Sequence, residues 1–180
     1  MPFRTFVTFA LPCNSTVCGS VSRCERAASK IAKLTIMPLS PFTGTIPDDL
    51  LYYPEHDMWV RELADGELLI GATAFGIHLA GEIIAFTSKP NGAEVLRGRG
   101  MGTVECRKTV LAVHAPASFI LREGNEAAEE RPGRINRDPY DEGWMARVWP
   151  TDWAAERHLL VDAAAYRAQV LRLDPEARLD

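Results

Sequence analysis

Lys108 is the residue of this chain best placed to carry a covalent group. A primary amine can be acylated where a guanidinium cannot, and only Lys30, Lys33, Lys89 and Lys108 are lysines, against sixteen arginines. An arginine-rich composition leaves a few lysines scattered by itself, so the argument rests on where Lys108 stands. Gly98, Gly100 and Gly102 lead into Thr103-Val104-Glu105, then Cys106-Arg107-Lys108, then the β-branched run Thr109–Val113. Two β-compatible runs around a charged pair describe a hairpin with Arg107-Lys108 at its tip. Such a tip holds the amine in solvent on a rigid stem.

Other chemistry finds less support. Cys106 stands beside two cations that would favour its thiolate, yet a half-buried strand cysteine is the commoner state. The run Gly98-Arg99-Gly100-Met101-Gly102 is not G-x-G-x-x-G and opens no helix, so turn geometry is the expected reason for these glycines rather than phosphate binding. Neither G-x-S-x-G nor H-E-x-x-H occurs, and His56, His78, His114 and His158 show no ligand-like spacing. Cys13, Cys18 and Cys24 are close together, but their C-x4-C-x5-C spacing matches no common zinc site.

The elements that must position Lys108 are short strands punctuated by glycine and proline. Met58–Glu62 and Glu67–Gly71 flank Ala64-Asp65-Gly66, a hairpin signal. Ala74–Ala80 is expected as a helical turn or two capped by Gly81, followed by a strand over Glu82–Thr87 and a stop at Lys89-Pro90-Asn91-Gly92. A strand over Ser118–Arg122 precedes a helical turn over Asn125–Glu130, capped by Asn125. Pro132-Gly133 should break that turn, and Asn136–Tyr140 reads as a loop. Gly143–Trp149 is expected as a strand with Trp144, Ala146 and Val148 on one face. Asp162 should cap a terminal amphipathic helix over Ala163–Leu171 that carries Tyr166, Val170 and Leu173 on its apolar stripe, after a shorter helix within Asp152–Leu160.

The 180 residues are 47% apolar, with 20 basic and 24 acidic side chains and a net charge of -4. That composition is of the ordinary globular class and argues against nucleic acid as the main partner. No apolar run is long enough for a membrane span. Residues 1–46 carry five cations against Glu25 alone. They are read as a disordered or mis-called extension, with translation expected from Met37, leaving one domain over 47–180. A secretory signal, interrupted here by Pro12-Cys13, and an organelle transit peptide are the other readings of this segment.

Taken together, the motifs resemble the H protein of the glycine cleavage system, a lipoyl carrier. Tyr53-Pro54-Glu55-His56-Asp57-Met58-Trp59-Val60 resembles the family's opening tyrosine–histidine–tryptophan motif, and Gly81-Glu82-Ile83-Ile84 its G-[DE]-[IV]-[VI] strand. Gly92-Ala93-Glu94-Val95 matches G-x-x-V, Val104–Lys108 falls on V-E-S-x-K, and Glu142-Gly143-Trp144-Met145 on the closing G-W-[LM] strand. The similarity runs over about residues 47–170, and its specificity lies in the order and spacing of the motifs.

The resemblance implies a mainly β fold with C-terminal helices, a barrel-sandwich hybrid of the lipoyl- and biotinyl-carrier type. It implies lipoate joined covalently to Lys108, with Glu105 part of the surface read by the lipoylating enzyme. The chain would then be a carrier and not an enzyme, with no catalytic or metal-binding residue of its own. Its partners would be a pyridoxal-phosphate glycine decarboxylase, a folate-dependent aminomethyltransferase and dihydrolipoamide dehydrogenase. A monomer is implied, in the bacterial cytoplasm, or in mitochondria if residues 1–46 are a transit peptide.

Three positions depart from the family's pattern: Met58 stands where glutamate is common, Leu79 where histidine is, and Ala112 where an acidic residue is. Those polar groups are thought to hold the amine of the aminomethyl group, and an ammonium away from water needs a hydrogen-bonding or anionic partner. Either His78 or Asp57 takes over that task, or the chain serves lipoyl relay or another sulfur-linked pathway. A third possibility is an interaction module that keeps only the fold.

Overall fold

The computed structural model describes residues 40–180. β-branched and aromatic residues recur in short runs between turns, and the chain accordingly folds into strands β1 (Thr43–Gly44), β2 (Leu51–Tyr53), β3 (Met58–Glu62), β4 (Leu68–Ala72), β5 (Ile83–Ser88), β6 (Glu94–Val95), β7 (Gly100–Cys106), β8 (Thr109–His114), β9 (Phe119–Gly124), β10 (Ala146–Pro150) and β11 (Arg178–Leu179). The helices are α1 (Ala74–Ala80), α2 (Glu126–Glu130), α3 (Gly133–Arg137), α4 (Trp153–Glu156) and α5 (Ala163–Leu173), with a 3-10 turn at Arg157–Leu159.

A six-stranded sheet in the order β2-β3-β4-β10-β9-β6 and a three-stranded sheet in the order β5-β7-β8 share one core. Met58, Val60, Leu68, Ile70, Ala146 and Val148 from the first meet Phe86, Met101, Val104 and Val113 from the second. The result is the barrel-sandwich hybrid that the family resemblance implied. The other face of β3 is buried as well: Trp59 joins Tyr52, Phe42, Ile46, Leu50 and Phe75 in a second core against Ala163, Tyr166 and Val170 of α5. Burial on both faces explains why β3 opens with the continuous apolar run Met58-Trp59-Val60 and not with alternation.

Local signals were followed closely. Asp65-Gly66 turns between β3 and β4 with Gly66 at φ 83°, and Gly81 ends α1 at φ 85°. The Asn125 side chain accepts from the Ala128 amide at the start of α2, and that of Asp162 accepts from the Ala165 amide at the start of α5.

Five expectations need correction. The fold begins upstream of residue 47, because β1 pairs in parallel with β11 and both Phe42 and Ile46 are buried; the expected extension overlaps the fold here, and its remainder, with Cys13, Cys18, Cys24 and Met37, lies outside the described residues. Pro132 breaks α2 as expected, but Asn136–Tyr140 is not all loop: α3 takes in Asn136 and Arg137, with Pro132 at its start, where proline is tolerated because the amides there are unpaired. Only Gly98, at φ 76°, serves a turn; Gly102 is a strand residue whose added Cβ would lie 2.6 Å from the Thr87 carbonyl oxygen, so close approach of β5 to β7 demands it. The β10 ladder starts at Ala146, and the buried residue before it is Met145, not Trp144. Leu173 is 60% exposed at the end of α5, where the second core has run out.

Candidate functional site

The three-stranded sheet positions the candidate lysine. β7 and β8 pair antiparallel from Gly100–His114 to Cys106–Thr109, which leaves Arg107 and Lys108 as a two-residue turn. Lys108 is exposed, and it enters none of the ion pairs or side-chain hydrogen bonds among the described residues. Its neighbour Arg107 takes the nearby carboxylate, with Nη2 2.8 Å from Glu82 Oε2. Glu105 is exposed on β7, flanked by Ala85 of β5 and Val110 of β8. Cys106 points into the core, and burial pushes its thiol above the ordinary value, so it stays a neutral packing residue.

A cleft of about 390 Å3 opens beside this hairpin. One side comes from Val104 of β7 and Leu111–His114 of β8; the others come from the β2–β3 loop with Met58 and from Gly76, Ile77, Leu79 and Ala80 of α1. Leu111 is three residues from Lys108, on the order of 10 Å of strand. Tip and cleft therefore belong to one rigid element. Met58, Leu79 and Ala112, far apart in sequence, all line this cleft.

Its only polar side chains among the described residues are His56, Asp57 and His114. The imidazoles of His56 and His114 stack with centroids 3.9 Å apart and planes 12° apart. Partial desolvation holds His56 below its ordinary pKa, and His114 adds to the effect. Tyr53 packs its edge on His56 at 5.2 Å, and the Arg97 guanidinium lies 4.6 Å over the Tyr53 ring.

Asp57 is the one non-glycine residue with positive φ among the described residues, at 52°. Its Oδ1 accepts from the Tyr166 hydroxyl at 2.8 Å, and its carbonyl accepts from the Thr73 amide at 2.8 Å. Burial raises the Asp57 carboxyl above the usual carboxylate range, and the Tyr166 hydrogen bond partly offsets this.

Of the two residues expected to replace the missing polar groups, Asp57 lines the cleft and His78 does not. His78 sits edge-on to Phe42 at 5.5 Å, on the far side of α1. The His56–His114 pair escaped the sequence reading because its members are 58 positions apart, a separation that no local spacing rule covers. Among the described residues, no group of three metal-ligating side chains converges.

The family model described as Glycine cleavage H-protein matches residues 50–172. The chain is 36% identical over 125 residues to the glycine cleavage system H protein of Halorhodospira halophila, covering 69% of this chain and 95% of that one. With the corresponding protein of Chlorobium limicola it shares 40% identity over 127 residues, 68% of this chain and 95% of the relative. Among solved structures, it is similar to a glycine cleavage system H protein from Mycobacterium marinum, with a TM-score of 0.60 and 32% identity over 69% of this chain and 98% of that one.

Proposed function

The chain belongs to the glycine cleavage H-protein family, and from that premise we propose that Lys108 is the lipoyl attachment site and Glu105 part of the surface read by the lipoylating enzyme. The chain is a lipoyl carrier of the glycine cleavage system. It interacts with the other enzymes of that system, and its role is carriage and not catalysis.

The observation that supports Lys108 is its amine, exposed and free of ion pairs among the described residues, at the tip of the hairpin that also walls the cleft. These residues fit lipoate: an acylated Lys108 would leave no carboxylate unpaired, and the tip leaves space for an arm to swing. When bound, lipoate supplies a dithiolane whose disulfide accepts the aminomethyl group of glycine. The protein supplies position, and a short rigid stem with a mobile arm raises the effective concentration of the group at each partner. The cleft beside the stem, lined mainly by apolar side chains, would hold the arm between visits. The partners in this reading are the pyridoxal-phosphate glycine decarboxylase, the folate-dependent aminomethyltransferase and dihydrolipoamide dehydrogenase. The compared relatives are bacterial, which favours the bacterial cytoplasm over mitochondria.

The apolar side chains of Met58, Leu79 and Ala112 favour a second reading, in which the arm serves lipoyl relay or another sulfur-linked pathway rather than glycine cleavage. Intact-mass measurement of the full chain from a lipoylation-competent host tests the attachment: the wild type gains one lipoyl group and Lys108→Arg gains none. An unmodified wild type would refute the site. Lipoylated protein offered to glycine decarboxylase should support carbon dioxide exchange, and its failure to do so would favour the second reading.

A further inference from the structure

Resting on the reading that the cleft receives the arm, we propose that Tyr166 of the C-terminal helix is a positioning residue, whose hydroxyl holds Asp57 as the anion that retains the amine of the carried aminomethyl group. Asp57 is the only acidic residue that lines the cleft among the described residues. An ammonium away from water needs such a partner, and Met58 and Ala112 offer none.

Three contacts place this carboxylate. Its backbone carbonyl is tied to the Thr73 amide, its Cβ sits where a methyl on Gly76 would come within 2.7 Å, and its Oδ1 accepts from Tyr166. A positive φ outside glycine persists only where surroundings enforce it, and such residues gather at binding sites. Oδ2 has no protein partner among the described hydrogen bonds, and since no buried side-chain oxygen among the described residues lacks one, Oδ2 is in reach of solvent.

The hydrogen bonds run in one direction. The Gly76 amide donates to Thr73 Oγ1 at 3.0 Å. Because the Tyr166 proton is committed to Asp57, Thr73 donates to Tyr166 at 2.8 Å. Each donor polarises the next, and the chain ends on the carboxylate. Tyr166 thereby joins α5 to the two cleft walls that α1 and the β2–β3 loop provide. Its ring is independently fixed, stacked on Tyr52 at 4.6 Å, so loss of the hydroxyl need not disturb packing.

Besides Tyr166, the titratable groups around this carboxylate are Glu55 and His56 on its own loop, His114 at the end of β8, Tyr52 of β2, and Tyr140, whose hydroxyl accepts from the Ala74 amide. Burial favours the protonated acid and the Tyr166 hydrogen bond opposes it. Removing the hydroxyl should therefore make Asp57 take up its proton at higher pH, and an uncharged acid releases the amine.

Two measurements on the full-length chain test this. Carbon-13 NMR of unlipoylated protein should show the Asp57 titration midpoint moved upward in Tyr166→Phe. In lipoylated, aminomethyl-loaded protein, ammonia release should be about tenfold faster in the variant, the worth of one hydrogen bond to a charged group. Asp57→Asn, which keeps a residue tolerant of positive φ, should release as fast with no pH dependence from that group. An unmoved midpoint, or unchanged release from a fully lipoylated variant, would overturn the proposal. An unlipoylated wild type would instead count against Lys108, while the titration of the unmodified chain still decides Tyr166.

Discussion

Strands β3 and β8 are nearly equal in length, yet one is sunk in the molecule and the other stands out from it. Met58, Trp59 and Val60 of β3 are all buried, two in the shared core and one in the second. In β8 only Val113 is buried, and the first four residues are exposed. β3 is held by side chains on both faces; the Lys108 end of the hairpin is held chiefly by backbone pairing to β7. A carrier needs both kinds of strand. The frame must not move, while the element bearing the attachment amine must present it to several partners without being covered by its own protein.

The contrast can be broken most severely at the tip. Lys108→Arg should abolish lipoylation and carriage altogether while changing unfolding free energy by no more than about 0.5 kcal/mol, as for other exposed sites; mass spectrometry and urea titration read the two effects. Trp59→Ala should do the reverse. It removes a fully buried ring that donates to the Pro139 carbonyl at 2.9 Å and should cost about 3–5 kcal/mol by urea titration, with Lys108 still modified in whatever remains folded.

Gly102→Ala tests whether the stem is as tightly built as the frame. The new Cβ meets the Thr87 backbone, which cannot turn aside as a side chain can, and about 1–3 kcal/mol of destabilisation is expected from the shift in thermal midpoint. A neutral result would mean that the β5–β7 contact is looser than the frame.

The smallest effect concerns the join between hairpin and frame. His56 binds its proton less readily when folded, so its contribution is complete above its ordinary value of 6.5 and is lost as pH falls through the lower folded value. His56→Phe should flatten the slope of thermal midpoint against pH in that window. An unchanged slope would show that the stack with His114 does not couple the two regions.

Much of this architecture was legible because its signals are local. The Asp65-Gly66 turn, the bounds of α1, the caps at Asn125 and Asp162, and the turn at Arg107-Lys108 each depend on residues within a few positions of one another. Errors arose where distant chain decided the outcome. Phe42 and Ile46 read as part of a disordered or mis-called extension until β11 and α5 supply a surface to cover them. Leu173 continues the apolar stripe of α5, but the core it would enter ends before it. Gly102 reads as a turn residue until β5 is laid across it.

The sequence by itself determined the strand-rich class, the hairpin and the lysine at its tip, since pairing across a two-residue turn needs only neighbours. It also marked Met58, Leu79 and Ala112 as departures from the related pattern. Only the tertiary structure decided that these three share one cleft, that His56 meets His114 there, and that Tyr166 reaches Asp57 across 109 positions. Contacts between remote segments are set by how sheets and helix stack, a property of the whole packed chain that no short window of residues contains.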